Sequence, residues 1–444
     1  MPKIVGAVKT RTFKKGVHPT DYKAFTNAEK IEYPPLPDNV FIPLQQHIGE
    51  PGRPLVSPGD EVKTGQCVGR SDKYVSSPVH ASVTGKVKAI TTLPHPVGAR
   101  AQMVHIQRTG EDEWDLLPVP EDWRTEPLEN LRELVQEAGI VGLGGAAFPT
   151  HVKLSPPADK AIDAFILNGC ECEPYLTADH RAMVELAEKI LTGMGILMRV
   201  LGVEKGYIGI ETNKPDAIEA MRACCTRIGL DVPVIPLQTK YPQGAEKMLI
   251  QAVLDRKVPA GGLPMDVGVI VNNVGTALAV TEAVTEGKSL VQRIVTVTGN
   301  GINTPKNVMA RIGSPFSHLV DCCDGLKEET SQVFMGGPMM GIAQFDLAVP
   351  VIKATSGIIC TTDSISEKGK TLPCIRCGSC ISACSMNLLP TRLARLTEMK
   401  QLEAAGELGI DHCIECGSCA FVCPSQIPLV QWIRVGKYRL SQLN

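Results

Sequence analysis

Eight of the chain's 16 cysteines fall between Cys374 and Cys423, in two runs of identical spacing, CIRCGSCISACS from Cys374 and CIECGSCAFVCP from Cys413. Each reads C-x2-C-x2-C-x3-C. No other feature constrains the fold as tightly. A tight turn with cysteine at every third position presents three sulfurs on one side, and Gly378 and Gly417 permit that turn. An iron–sulfur cube offers four iron corners, so three cysteines of one run and the last of the other can complete it, and the two runs must then fold together.

This is the spacing of two-cluster bacterial ferredoxins. It assigns Cys374, Cys377 and Cys380 with Cys423 to one [4Fe-4S] cluster, and Cys413, Cys416 and Cys419 with Cys384 to the other. The competing ligand is zinc, which normally takes two C-x2-C pairs and has no use for the fourth cysteine of each run. Pro424 follows the second run and Ser385 stands in the matching place after the first, which leaves ligation intact. Between the runs, Leu389, Leu393, Leu396, Met399 and Leu402 share one helical face. The closing LVQWIRVGKYRL is a basic amphipathic helix expected to pack back on the protein.

The other eight cysteines are scattered, which is not the pattern of a short secreted disulfide scaffold. The start, MPKIVGAVKTRTFKKGVHP, lacks an apolar region of the length export requires. A reducing, cytoplasmic compartment is expected. Cys67, Cys224, Cys225, Cys322, Cys323 and Cys360 read as buried thiols packing as small hydrophobes, and His18, His80 and His151 receive no ligand role. No stretch of about 18 apolar residues could cross a bilayer. The nearest, Phe334 to Ile352, is broken by Gly336, Gly337, Pro338, Gly341 and Asp346 and reads as turns between buried strands. A net charge of -2 and only 19 aromatic residues argue against a polynucleotide partner.

Upstream, residues 1–30 carry a local excess of +5, from Lys3, Lys9, Arg11, Lys14, Lys15, Lys23 and Lys30 against Asp21 and Glu29. The excess reads as a solvated arm or as a tail that docks on a partner. VSPGDEVKTGQCVG and SPVHASVTGKVKAI are strand–turn–strand units of a small sandwich. Between Leu128 and Leu290 helices and strands alternate, the pattern of a parallel sheet with ligands at the carboxyl ends of its strands. In that stretch AMVELAEKILTGMGILMRVLG reads as one helix. Residues 291–350 read as short strands around one helix, a spacer or docking unit.

The sandwich segments resemble barrel-sandwich hybrid modules related to biotinyl and lipoyl carriers. Where a carrier lysine would stand, the chain has Pro78, Val79, His80 and Ala81, so no biotin or lipoate attachment is expected. GLGGAAFPTHVKL, Gly142 to Leu154, and NGCECEPYLTADHRAM, Asn168 to Met183, flank one buried strand. A glycine-rich turn in a βα setting lets backbone amides approach a phosphate or a flat ring. With YPQGAEKMLI from Tyr241 and VNNVGTALAV from Val271, these motifs resemble, in the same order, the flavin and NADH site of the peripheral flavoprotein subunit of respiratory complex I. That subunit has one cluster. Two cluster runs plus the N-terminal sandwich look like the C-subunit family of the Rnf (Rsx) electron transport complexes, over essentially the whole chain.

The resemblance implies a multidomain α/β and α+β chain. It would comprise an arm and barrel-sandwich hybrid over 1–125, a Rossmann-like FMN/NADH domain over 126–290, a β-grasp-like (SLBB) domain over 291–359 and a helical two-cluster ferredoxin-type domain over 360–444. By the same resemblance, Gly142, Gly144, Gly145 and Lys153 approach the FMN phosphate and ribityl chain, and Asn168, Cys170, Asn272, Asn273 and Thr276 line the flavin. Phe148, Glu171, Glu173, Gly244 and Glu246 lie on the nicotinamide side, the carboxylates bonding ribose hydroxyls; each carboxylate taken singly could instead be an ordinary helix-start or rim charge. Cys170 stands where the complex I pattern has an acidic residue.

The implied activity is hydride exchange between NAD(H) and FMN, with single electrons passing through two clusters to or from membrane and ferredoxin-type subunits. It is coupled to sodium or proton movement, at the cytoplasmic face of the bacterial membrane. Two other readings are a flavin subunit of a soluble NADH-linked hydrogenase or formate dehydrogenase, and a non-catalytic iron–sulfur scaffold. The N-terminal sandwich disfavours the first, and the joint presence of Gly144, Lys153, Glu173, Glu246 and Asn273 the second.

Overall fold

The computed structural model describes residues 10–98, 100–362 and 370–443. At its centre lie four parallel strands in the order Val234–Leu237, Gly206–Glu211, Ala164–Gly169 and Val269–Asn273. Of Ala164–Gly169 only Asn168 is not fully buried, and Val269–Asn273 is buried throughout. Such apolar runs suit strands covered by helices on both faces. The chain steps outward from Ala164–Gly169 through the next two strands, then returns to its other side. That reversal opens a crevice at the carboxyl ends, beside Gly169 and Asn273.

The helix predicted across 182–202 is two, Ala178–Glu185 and Ala187–Leu201, because Leu186 leaves helical geometry at φ -126°. The second crosses Val274–Glu286 so closely that a Cβ on Gly193 would strike the Ala277 carbonyl. Alanine in place of glycine gains up to about 1 kcal/mol in an isolated helix, but forcing two backbones apart costs about 1–3 kcal/mol or more. Gly193→Ala is therefore expected to lower the midpoint of denaturant unfolding; a raised midpoint would mean that the crossing is loose.

A second, six-stranded sheet runs Ile31–Glu32, Lys306–Arg311, Gln292–Thr298, Gly357–Thr362, Thr330–Met335 and Ile342–Gln344, with helix Phe316–Asp321 against it. The boundary expected between 359 and 360 falls inside a strand whose residues pair from Gly357, opposite Thr296, to Thr362, opposite Thr330. The segment 1–125 likewise lends Ile31–Glu32 to this sheet.

The sandwich folds around Val40, Ile42, Val68, Val79, Val104 and Ile106. Its Pro78–Ala81 hairpin is buried, not presented as a carrier tip. Lys353, wholly buried, donates from Nζ to Ser77 Oγ (3.2 Å), Pro78 O (2.7 Å) and Gly139 O (2.6 Å), tying sandwich, central domain and second sheet together. Burial draws its ammonium down to about 7. The Ile48 amide of the sandwich also donates to Ala147 O, in the glycine-rich turn, at 3.3 Å.

Over its described residues the basic arm is packed only in part: Lys23 is buried, whereas Arg11, Lys14, Lys15 and Lys30 are exposed. Phe13 and Val17 are buried; Arg11 bridges the edge strand at Leu237 and donates to Val253 O; Val17 and Tyr241 exchange backbone bonds; and Lys15 donates to Ile381 O at 3.2 Å. Lys23 is buried, its Nζ giving hydrogen bonds to Glu171 O (2.9 Å) and Glu173 O (3.0 Å). Apolar residues interleaved with these cations supply a packing surface that a count of charge overlooks. Lys3 and Lys9 lie outside the described residues.

In the C-terminal domain the single helix predicted through 389–402 is also two, Pro390–Glu398 and Leu402–Glu407, separated by Lys400 at φ +58°. Leu393 and Leu396 are buried with Ile410 and Ile433, while Leu389 and Met399 are exposed at the break points. The terminal helix Leu429–Ser441 packs back on this core through Leu429, Val430 and Ile433. No helix among the described residues is long and apolar enough to cross a membrane.

Candidate functional site

Four segments meet at the carboxyl ends of the parallel strands. Asn273 begins helix Val274–Glu286: its Oδ1 accepts from the Gly275 amide at 2.8 Å and its Nδ2 donates to Asp179 Oδ2 at 2.6 Å. Thr276 Oγ1, one turn on, accepts from the Leu143 amide at 2.9 Å and so ties the glycine-rich turn to the helix. A Cβ on Gly144 would press on Asn273 at 3.2 Å, whereas one on Gly145, at φ +141°, would meet only open space. Gly142 closes the turn by donating to Phe148 O at 2.8 Å, and Phe148 is half-buried at its end. Asn168 Nδ2 reaches across to Gly244 O at 2.9 Å, linking the Ala164–Gly169 strand to the loop after Tyr241.

Lys153 and Glu246 face each other as an ion pair, and Lys153 also donates to Val271 O at 3.0 Å. Asn272, 3% exposed, has no partner for either end of its amide. Gln243, fully buried in the loop between Tyr241 and Gly244, has none either. Leaving such groups unmade costs about 1–3 kcal/mol each. A ligand presenting both donors and acceptors, as a flavin ring does, satisfies them, so the residues present fit that group.

Three expected site residues have other employment. Glu171 accepts from the Asp179 and His180 amides at 2.7 and 3.2 Å, the role of a carboxylate at a helix start. Glu173 accepts from the Met339 and Met340 amides at 3.0 and 2.9 Å and from the Tyr241 hydroxyl at 3.3 Å. Burial pushes its carboxyl up to about 7 against the pull of those bonds. Both carboxylates thus accept hydrogen bonds from within the chain. Cys170 is fully buried with Sγ 3.8 Å from Gly209 O, and burial raises its thiol well above the ordinary value.

Sequence reasoning passed over Asp179 and Arg293. Asp179 stands inside a quoted motif, but its bond to Asn273 is a tertiary contact. Burial, then repulsion from Glu171, raises its carboxyl to about 7. Arg293 belongs to the second sheet, read as a spacer, yet its buried guanidinium donates to Leu143 O in the glycine-rich turn at 3.3 Å.

The cysteine runs interleave. Cys374, Cys377, Cys380 and Cys423 line one cavity of about 220 Å³; Cys384, Cys413, Cys416 and Cys419 line another. Cys374 and Cys377 are exposed, whereas all four of the second set are buried or half-buried. The second set is also the inner one: Cys416 packs with Tyr241, Cys172 and Val17 at the edge of the central domain.

Four family models match in chain order: RnfC barrel sandwich hybrid domain over 11–111, Nuo51 FMN-binding domain over 135–282, SLBB domain over 294–343, and 4Fe-4S dicluster domain over 373–427. The multidomain fold and the FMN and iron–sulfur cofactors follow from these. An NAD+-reducing [NiFe]-hydrogenase crystal structure shares the fold over 74% of this chain and 63% of its own, at a TM-score of 0.52 and 17% identity. Among curated relatives, the C subunit of the proton-translocating ferredoxin:NAD(+) oxidoreductase complex of Clostridium ljungdahlii is 49% identical, across 89% of this chain and 87% of its own. Its Na(+)-translocating counterpart from Acetobacterium woodii is 46% identical, across 88% of each chain. The C subunit of the ion-translocating oxidoreductase complex of Rhodobacter capsulatus is 40% identical, across 97% of this chain and 83% of its own. By fold, ordered domains and these identities, the chain belongs to the C-subunit family of the ion-translocating ferredoxin:NAD(+) oxidoreductase complexes.

Proposed function

We propose that this chain is the electron-input subunit of such a complex, exchanging hydride with NAD(H) at the crevice and passing single electrons through the inner and then the outer cluster to a membrane-bound partner. The observation that carries the reading is the order of the parts. One cysteine set abuts the central domain at Tyr241 and Cys172, and the other opens to the surface at Cys374 and Cys377.

FMN in the crevice supplies the exchange between a hydride's two electrons and the single electrons that a cube takes. Gly142, Gly144 and Gly145 would bring backbone amides to its phosphate and ribityl chain, and Lys153 would meet the phosphate charge. Asn168, Asn272, Asn273 and Thr276 would border the ring, while Phe148, Gly244 and Glu246 would face the dinucleotide. Lys153 and Glu246 pair with each other. A phosphate at Lys153 competes for the ammonium and frees the Glu246 carboxylate for a ribose hydroxyl.

Cys374, Cys377, Cys380 and Cys423 would hold the outer cube and Cys384, Cys413, Cys416 and Cys419 the inner one. Around the outer set Leu372, Ile375 and Ile381 are exposed, at 57%, 68% and 40%, and suit an apolar contact with a membrane subunit or a ferredoxin-type subunit at the cytoplasmic face. With no spanning helix among the described residues, the ion path belongs to those partners.

Anaerobically purified chain should contain about eight iron atoms and one flavin, and NADH should bleach the flavin and then the clusters. Zinc in place of iron, or a bound flavin untouched by NADH, would overturn the reading.

A further inference from the structure

Glu173 sits in the loop after Ala164–Gly169, yet the groups on its carboxylate come from elsewhere: the Met339 and Met340 amides of the second sheet's Gly337–Gly341 turn, and the Tyr241 hydroxyl. The turn closes on itself through Gly341 N to Gly337 O at 2.8 Å. It fits so tightly that a Cβ on Gly337 would fall on the Glu173 carboxylate. Its other side touches the inner cysteine loop. A Cβ on Gly417, next to Cys416, would lie 2.6 Å from Met339 O. Arg434 donates to Met340 O at 3.3 Å and to Glu415 Oε2 at 3.2 Å, and Glu415 lies between Cys413 and Cys416. Lys437 completes the bracket, donating to Glu415 Oε1 at 2.6 Å and to Cys413 O at 3.0 Å. Lys23 fixes the near end by bonding Glu173 O. One turn thus spans the seam, held by a carboxylate on the crevice side and by the cysteine loop on the other.

We infer that Glu173 is a positioning residue for electron transfer between the crevice and the inner cluster, not a ligand of the dinucleotide. It acts by pinning the Gly337–Gly341 turn, and with it the Cys413–Cys419 loop, against the central domain. The inference rests on the functional reading above and adds no chemical step to it. One-electron transfer falls off exponentially with separation, so a turn that lets the Cys413–Cys419 loop drift from the central domain slows it. The hydride step takes place on the crevice side of this seam and does not depend on the turn.

The test uses the anaerobic chain with flavin and clusters in place, and two variants. Glu173→Gln keeps the size but offers one acceptor oxygen where two amides and a hydroxyl now bond. Gly337→Ala pushes the same turn from the opposite side with Glu173 intact. Stopped-flow absorbance separates flavin bleaching by NADH from the cluster reduction that follows, and amide hydrogen exchange reports Met339 and Met340 directly. Both variants should bleach the flavin with half-saturation close to that of wild type, reduce the clusters several-fold more slowly, and exchange those two amides faster. If half-saturation by NADH instead rises about tenfold or more in Glu173→Gln while cluster reduction keeps pace, Glu173 is a ribose ligand and the inference is wrong. It is equally wrong if the two amides loosen and both steps keep their rates. Failure of the functional reading looks different, because the wild-type flavin itself would then ignore NADH.

Discussion

Replacing Cys423 with serine should empty the outer cluster and leave the inner one intact, although Cys423 lies four residues from Cys419 in sequence. Cys423 lines the cavity of Cys374, Cys377 and Cys380, while the cavity beside its own run is completed by Cys384. Iron should fall from about eight to about four atoms per chain. NADH should still bleach the flavin and reduce the remaining cluster, because the inner set abuts the central domain at Tyr241 and does not depend on the outer one for contact. Transfer onward to an external one-electron acceptor should be lost. Cys384→Ser provides the converse: the inner cluster goes and the outer one stays, unreduced by NADH because its supply is cut. Electron paramagnetic resonance of the two variants, reduced first with NADH and then with dithionite, distinguishes the cases. The reverse pattern, with the inner signal lost in Cys423→Ser and the outer one in Cys384→Ser, would show that each run holds its own cluster.

The parts of this molecule legible in its sequence are those whose signal is local. The cysteine spacing determines which sulfurs can share a cube, and the apolar runs AFILNG and VIVNN announce strands buried on both faces. The glycine-rich turn and the Asn272–Asn273 pair could be placed together only through the family resemblance, because the turn follows helix Leu128–Glu137 and not a strand of the central sheet. What escaped depends on contacts between distant segments. The single helix expected over 182–202 breaks at Leu186, where no proline or glycine marks the break. Lys23 reads in sequence as a solvated charge, but the fold supplies three carbonyls for its ammonium, at Glu171, Glu173 and Leu176. The carboxylates suffered most. Glu171, Glu173 and Glu246 are chemically alike in sequence, but one caps a helix, one clamps a turn from another domain and only Glu246 pairs with Lys153 beside the crevice. Arg293, whose bond to Leu143 O stiffens the glycine-rich turn, lies 150 residues away in a segment with no motif of its own.

Lys153→Met should cost the chain its flavin, and with it every NADH-dependent signal. The substitution keeps the length and apolar stem of the side chain, so the Thr150–Lys153 turn has little reason to unfold, and what disappears is the ammonium. A charge-assisted hydrogen bond to a phosphate is worth about 1.5–3 kcal/mol, or roughly ten- to over a hundredfold in FMN affinity. A second effect adds to the first. Lys153 is the partner that neutralises Glu246, and without it a 38%-exposed carboxylate side chain faces the incoming phosphate alone. Like charges at that range repel, and salt screens them because the site is partly open. The double variant Lys153→Met with Glu246→Gln removes the repulsion but not the lost bond. It should therefore regain part of the flavin affinity without regaining that of wild type, and the gap between single and double variants should narrow as salt is raised. Flavin content after gel filtration and fluorescence titration with FMN measure both. Full flavin retention in Lys153→Met, with NADH bleaching alone impaired, would move Lys153 from the flavin phosphate to the dinucleotide and reverse the roles given to this ion pair.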